Sequence, residues 1–436
     1  MVRDGYKETE IGEIPEEWNV KKLGDIGECL IGLTYNPDNV RENGLLVLRS
    51  SNIVEGSLRF DDNVFVDMDV PDKIIVQMDD ILICVRNGSR SLIGKCALID
   101  ERAVGMTFGA FMSVFRTDYP RFVFYQFQSN IVKKQIYEHL GATINQITNK
   151  SLHSFSIALP PDKKEQIAIA AVLSTIDEAI EKTEALIAKL RQVKAGLMQD
   201  LLTKGIDEEG RVRSEETHAF KDTEIGRVPV EWEVAKVSDY CSVILSNVDK
   251  KVSIKEIPVF LCNYLDVFNN DYITSDLRFM EGSATTGEIQ KCSIYKNDVL
   301  ITKDSETAEE IAITTVVIED CDKVLCGYHL AIIRPKPDEF NGIFLSKTLN
   351  FTEVHRQFVR GAKGVTRYGL NKSEIENAIL PLPMLTEQSR IATILTEIDN
   401  QITEEFRYQN KLLTMKKGLM ADLLTGKIRV QESIEV

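Results

Sequence analysis

The stretch from Gly88 to Lys95 is where this chain comes nearest to a reactive loop. A phosphate-binding loop places four residues between two glycines and follows them with Lys and Ser or Thr. Its backbone N–H groups then cradle the phosphates, its lysine reaches them and its hydroxyl holds magnesium. Here five residues separate Gly88 from Gly94, and Cys96 stands where the hydroxyl is required. The five histidines, His139, His153, His218, His329 and His355, are isolated from one another and from cysteine, without the spacing of metal ligands. Cys321 and Cys326 alone make a poor metal site and read as core residues. No G-x-G-x-x-G follows a predicted strand. No Asn- or Asp-Pro-Pro-Tyr tetrad of a methyltransferase is present, since Pro160-Pro161 is preceded by Leu and followed by Asp. The 67 acidic residues form no pattern that nominates an acid-base pair.

What remains are loops whose side chains recognise rather than react. Arg86-Asn87-Gly88-Ser89-Arg90 joins two predicted strands and offers groups suited to base edges and phosphates, Arg matching guanine and Asn matching adenine. The segment from Gly141 to Gln146 adds Thr143, Asn145 and Gln146, and Lys150 follows. In the second half of the chain the counterparts are Lys303, Ser305 and Thr307, then Lys363, Thr366, Arg367 and Tyr368, with Lys372 beyond. Each of these residues is equally compatible with an ordinary solvated turn. Arg49 and Arg116 lie within strand-like runs, where they could equally pair with nearby carboxylates.

Those loops must be held by a scaffold, and the chain writes its scaffold twice. Thr9-Glu10-Ile11-Gly12, Pro15 and Glu17-Trp18 return as Thr223-Glu224-Ile225-Gly226, Pro229 and Glu231-Trp232, a shift of 214. Glu165-Gln166, Ile176-Asp177, Lys194, Gly196-Leu197-Met198 and Asp200-Leu201-Leu202-Thr203 return as Glu387-Gln388, Ile398-Asp399, Lys416, Gly418-Leu419-Met420 and Asp422-Leu423-Leu424-Thr425, a shift of 222. Between them faint echoes keep the order: Asn52 with Asp266, Asp80 with Asp298, Gly109 and Arg116 with Gly327 and Arg334, and Gln135 with Gln357. A period near 220 is too long for a solenoid unit and matches a duplicated domain with its connector. The order is domain, helix, domain, helix. We place the first domain at 1–161, its helix at 162–206, the second domain at 207–384, its helix at 385–428 and a tail at 429–436.

With 436 residues and 43% hydrophobic content, two ordinary cores can be buried. The polar start and the lack of a long apolar run argue against a signal peptide, a membrane span or a membrane partner. Eight cysteines without a Cys-x-x-Cys pair, several inside apolar runs, fit buried thiols in a reducing cytoplasm. The net charge of −15 argues against a general nucleic-acid binder, so any DNA affinity must be local or shared with partners.

Within each domain, short β-branched and aromatic runs predict strands. In the first they are Leu45–Leu48, Ile74–Val76, Ile81–Val85, Ser91–Ile99 and Phe111–Phe115, with tight turns at the Asn-Gly pairs 43–44 and 87–88. In the second they are Val259–Leu265, Asp298–Thr302, Ile311–Ile318 and Leu330–Ile333. One helix interrupts each set, over Arg121–Leu140 and Phe340–Val359. The fold class is α+β: two related mixed domains joined by two long helices.

Ile176, Ile180, Thr183, Ile187, Leu190, Lys194, Leu197 and Leu201 step by alternating fours and threes, the spacing of a coiled-coil seam. Ile398, Ile402, Glu405, Gln409, Leu412, Lys416, Leu419 and Leu423 repeat it. Two independent helices lying on their own domains is the alternative. If the helices pair, chain continuity makes them antiparallel, because the second must run back toward the first domain. About 38 residues at ~1.5 Å each give a rod of roughly 57 Å. Duplex DNA offers equivalent groove faces about 34–36 Å apart, so two unlike domains held apart by such a rod suit two unlike half-sites separated by unread base pairs. A protein-binding scaffold without direct DNA readout is the other reading.

Four features together, each present twice, resemble the specificity subunit of a type I restriction-modification system. They are Thr-Glu-Ile-Gly-x-x-Pro-x-x-Trp before each domain, Leu159-Pro160 and Leu382-Pro383 at the domain ends, Glu-Gln opening each helix, and Gly-Leu-Met-x-Asp-Leu-Leu-Thr closing each. The resemblance spans nearly the whole chain. It implies two target-recognition domains in inverted orientation, a bipartite asymmetric DNA site and no chemistry or cofactor in this chain. Two modification subunits using S-adenosylmethionine would dock on it, joined by two motor-nuclease restriction subunits using ATP and Mg. It does not transfer base-reading roles to particular residues.

Overall fold

A computed structural model describes residues 3–140, 145–364 and 366–430 of the chain. It divides into two compact units, one formed by residues 1–185 and 407–436 and the other by residues 186–406. The boundaries fall inside the two long helices, which run unbroken over Lys163–Thr203 and Leu385–Leu423.

The first unit is built on an antiparallel sheet ordered Cys96–Leu98, Ile81–Cys84, Met112–Thr117, Gly27–Ile31. Its central strand is a continuous apolar run because both faces are covered. Ile81, Ile83 and Phe115 join the core under Trp18, Phe122 and Phe127. Leu82, Cys84 and Val114 face the core beneath a second sheet that contains Leu45–Leu48. The second unit repeats the plan: Val299, Ile301, Ala331 and Ile333 lie in one core, and Leu300, Leu330 and Ile332 in another.

The sparse sequence echoes mark the rivets of this plan. Arg116 donates to both oxygens of Asp80 at 2.8 and 2.7 Å, and Arg334 grips Asp298 at 2.8 Å twice. The Gln135 side chain bonds the backbone of Ser156 in both directions, and Gln357 does the same with Ile379. Arg49 also pairs, with Asp62 at 2.8 Å.

Several local expectations differ from the structure. Ile74–Val76 is not a strand: a 3-10 turn, Asp72–Ile74, lies there. Residues 91–92 belong to another, Arg90–Leu92. The strand expected over Val259–Leu265 ends at Cys262, and Tyr264–Phe268 is helical because the Asp266 carboxylate caps the Asn263 N–H. The single helix expected over Arg121–Leu140 is two, Pro120–Gln128 and Asn130–Leu140. Ser129 is extended between them, its hydroxyl donating to the Gln126 carbonyl and accepting from the Val132 N–H, a local alternative to helix that serine offers readily. Phe340–Val359 divides likewise into Gly342–Leu349 and Thr352–Gly361. Asn43-Gly44 does not close a hairpin, since the flanking strands Val40–Arg41 and Leu45–Leu48 both pair with Phe65–Val66.

The Thr-Glu-Ile-Gly motif is a β-hairpin in both units, its threonine hydroxyl donating to the glycine carbonyl. Gly12 and Gly226 adopt φ of +106° and +101°, which a side chain would strain. The hairpin tryptophans are buried where a long helix ends. In the first unit Leu423, which ends the second long helix, and Leu424 just beyond it share a core with Trp18; in the second, Leu201 and Leu202 of the first long helix share one with Trp232.

The long helices pair within each unit. In the first, Ile176 and Ile180 pack with Leu412 and Leu419, Asp177 meets Lys416 at 2.7 Å, and Gln409 donates to Glu184 at 3.0 Å. Partners descend on one helix as they ascend on the other, so the helices are antiparallel. In the second, Lys194 meets Asp399 at 2.6 Å, while Leu197 and Leu201 share a core with Ile391 and Leu395. The remaining seam positions Ile187 and Ile398 are buried, Leu190 and Ile402 half-buried.

Candidate nucleic-acid interface

In each unit, loops distant in sequence converge at one end of the central strands. In the first unit, Val85 and Arg86 both donate backbone N–H groups to the Phe111 carbonyl, Ile147 donates to Val85, and Arg86 bridges Gln146. The Arg86 guanidinium lies 4.9 Å over the Phe111 ring, leaving its edge free for hydrogen bonding. Asn87 donates to the Ser50 hydroxyl at 3.1 Å and accepts from the Ser89 N–H at 2.9 Å. Arg86, Ser89, Arg90, Asn145, Gln146 and Lys150 are exposed, and Asn87 is half-buried. Thr143 lies outside the described residues. Beside these loops a groove of about 700 Å³ is lined by Tyr35, Arg49, Ser50, Ser51 and Phe111, among others.

The second unit builds the same junction from different side chains. Lys303 donates its N–H to the His329 carbonyl and accepts from Leu370, matching Val85 in the first. Asp304 and Ser305 pair with Gly369 and Tyr368. The Lys303 ammonium lies 4.7 Å over the Tyr328 ring. His329 Nδ1 faces Asp304 at 2.8 Å and the Arg367 guanidinium at 3.3 Å. Thr307, Thr366 and Arg367 are exposed, and Tyr368 is half-buried. Ser305 is turned inward, 4% exposed, with its hydroxyl given to the Thr307 carbonyl, so it presents nothing to a ligand. Lys363 and Lys372 stand at the rim, paired with Glu374 at 3.0 Å and Glu376 at 3.2 Å. The exposed Glu306, Glu309 and Glu310 give this face a mixed charge, whereas the first carries Arg86, Arg90 and Lys150.

The sequence singled out two of the converging loops in each unit and not the other two, which bear Ser50 and Phe111 in the first unit and Tyr264, Tyr328 and His329 in the second. The repeated Gly109 and Gly327 were the available signal. A Cβ on Gly327 would stand 2.9 Å from the Cys262 carbonyl, so that loop is pressed against the strand end.

The near-phosphate loop is not one. From Gly88 the chain enters the 3-10 turn Arg90–Leu92 and then a strand rather than a helix, Lys95 donates to the Ile53 carbonyl, and burial pushes the Cys96 thiol up to about 12. Among the described residues, no group of three or more His, Cys, Asp or Glu could hold a metal ion. None of their helices is long and apolar enough to cross a membrane.

The sequence profile of the type I restriction modification DNA specificity domain matches residues 15–192 and 229–413. The chain belongs to that family. This specificity subunit is 28% identical to the putative type I restriction enzyme MjaX specificity subunit of Methanocaldococcus jannaschii, over 98% of this chain and 97% of that protein. It is 22% identical to the EcoKI specificity subunit of Escherichia coli K12, over 96% and 91%. Among solved structures, the specificity subunit of the type I system from M. genitalium superposes with a TM-score of 0.59 at 14% identity, covering 97% of this chain and 98% of that one. A chain from a structure of type I system assembly and conformational transition superposes at 0.52 with 17% identity, covering 95% and 99%. The specificity subunit thus has the fold of its family, two repeated mixed α/β domains with a pair of long helices, and its function is DNA recognition in a restriction system.

Proposed function

We propose that each domain of this specificity subunit reads one half of a bipartite, asymmetric site in double-stranded DNA, with the two long helices setting the number of unread base pairs between the halves. The observation that carries this reading is the convergence of four loops in each unit on equivalent backbone contacts, with different side chains at equivalent places. Arg86, Asn87 and Gln146 in one unit, and Lys303, His329 and Arg367 in the other, supply donors and acceptors for base edges. Arg90 and Lys150, and Lys363 and Lys372, suit phosphates at the rim. The scaffold is shared and the readers differ, so the two half-sites differ.

The chain performs no chemistry in this reading. Two modification subunits using S-adenosylmethionine dock on it, and two restriction subunits using ATP and Mg complete the assembly. The acidic balance of the chain is then compatible with DNA binding, because partners share in enclosing the duplex. The test is an exchange of one variable domain for that of a relative, with methylation mapped genome-wide in a host that also carries the modification subunit. One half-site should change and the other stay. A methylated sequence indifferent to the exchange would favour the protein-binding scaffold.

A further inference from the structure

The second unit contains a closed ring of four charges. The Lys194 ammonium lies 2.6 Å from Asp399 and 2.9 Å from Asp271, and the Lys347 ammonium lies 2.7 Å from Asp399 and 2.9 Å from Asp271. Each cation touches both anions. Tyr272 adds its hydroxyl to Asp399 at 2.7 Å, and the Lys347 ammonium lies 4.9 Å over the Tyr272 ring. Lys194 and Asp399 belong to the two long helices. Lys347 belongs to the domain helix Gly342–Leu349, and Asp271 directly precedes the strand Tyr272–Ile273. One knot therefore ties both long helices to two separate elements of the recognition domain.

Stability alone is a poor reason for this knot. Lys347 and Asp399 are only 3% and 6% exposed, and apolar replacement of buried ion pairs is often neutral or stabilising, whereas directional ionic contacts fix register. The first unit supports a geometric role. There Asp177 receives Lys416 at 2.7 Å and the Tyr125 hydroxyl at 2.9 Å, and that hydroxyl also contacts Ser174. Ser174 repeats as Thr396, which the Tyr272 hydroxyl contacts in turn. Yet Tyr125 repeats as Lys347, and the second tyrosine comes from a different element. The domains diverged around this junction while the helix aspartate kept a lysine from the opposite helix and a tyrosine from its own domain.

On the reading given under Proposed function, we propose that Lys194, Lys347, Asp271 and Asp399 act as a brace that sets the angle of the second recognition domain on the helix pair. They are positioning residues, and what they govern is strictness toward the gap between half-sites. Apolar burial is non-directional, whereas ion pairs with fixed partners favour one angle of the domain on the helices.

The experiment uses full-length Lys347→Met and Asp271→Asn variants, each with the modification subunit, and maps methylation by gap length. Both should methylate the same two half-site sequences as the parent. Methylation at gaps one base pair longer or shorter should rise by roughly fivefold or more relative to the parental gap, the scale of coupling energies between contacting groups. Asp271 is only partly buried, with 47% of its side chain exposed, so Asp271→Asn is the milder substitution should Lys347→Met not fold. Folded variants that keep the single parental gap, at full or uniformly reduced occupancy, would overturn the brace. A parent chain that directs no methylation to a bipartite sequence would overturn the recognition reading and the brace with it, a result visible before any variant is made.

Discussion

Asp177 and Lys416 come from different copies of the repeated helix and pair at 2.7 Å, and the same positions in the opposite copies, Asp399 and Lys194, pair at 2.6 Å in the other unit. A repeated aspartate meeting a repeated lysine from the other copy is possible only if the helices run antiparallel in matching register. Both charges in the first pair are partly shielded, with 31% and 15% of their side chains exposed, so loss of one partner leaves a charge poorly solvated.

Lys416→Ala should therefore lower the stability of the first unit by about 1–3 kcal/mol, below the cost of breaking a fully buried pair. Chemical denaturation measures it, and a double-mutant cycle with Asp177→Asn should show that the two losses are not additive. Additive losses would mean that the pair does not couple.

Residues 423–429, at and just beyond the end of the second long helix, close the first unit. Tyr6 donates to the Gly426 carbonyl at 2.9 Å, and Arg429 grips Glu165 at 2.6 and 2.9 Å. Leu423 and Leu424 are buried in the core of Trp18. A chain ending after Met420 should melt its first unit well before its second, as followed by hydrogen exchange across the Tyr6–Pro15 hairpin and the Phe220–Pro229 hairpin. Equal protection of the two hairpins would contradict the closure.

Replacing Arg86 by Ala should relax specificity at one position of one half-site, by the roughly 1–3 kcal/mol of a bidentate base contact. Methylome mapping reads this directly. Ser305→Ala should leave the methylated sequence unchanged, because the Ser305 hydroxyl is already held by the Thr307 carbonyl. A Ser305 variant that shifts the site would show the interface to be wrongly placed.

Asp271 should make the second unit sensitive to acid. Burial raises its carboxyl, but the Lys347 and Lys194 ammonium groups outweigh burial and hold it at about 2 against an ordinary 3.8. A carboxyl lowered in the folded state stabilises above its unfolded pKa, and that stability is lost as pH falls from about 4 toward 2. Asp271→Asn should flatten this part of the profile in denaturation midpoints measured between pH 5 and pH 2. An unchanged slope would mean that the carboxylate is not linked to folding.

Much of the scaffold was legible before the fold because it is written locally and twice. The seam residues Ile176, Ile180, Leu412 and Leu419 follow from spacing alone, and Asp80 and Arg116 each stood out because Asp298 and Arg334 repeat them, although their pairing is visible only in the structure. The helix break at Ser129 was not legible. Apolar periodicity continues across it, and only the local bonds of the serine hydroxyl interrupt the turn. Ser305 was misread for a related reason: its type suits a DNA contact, but burial is not a property of residue type.

The sequence by itself determined that there are two copies of one plan, that long helices follow each domain, and that the variable loops carry polar and charged side chains. Periodicity and repetition are properties of neighbouring residues and survive in one dimension. Only the tertiary structure decided which loops meet, setting Phe111 under Arg86 and Ser50 against Asn87. It likewise gave Arg213 and Arg429 the same grip on Glu387 and Glu165, although the two arginines fall at unequal places in the repeat. Such contacts close loops of tens to hundreds of residues, and side chains brought together that way are selected by shape and charge in space, which leaves no fixed interval along the chain.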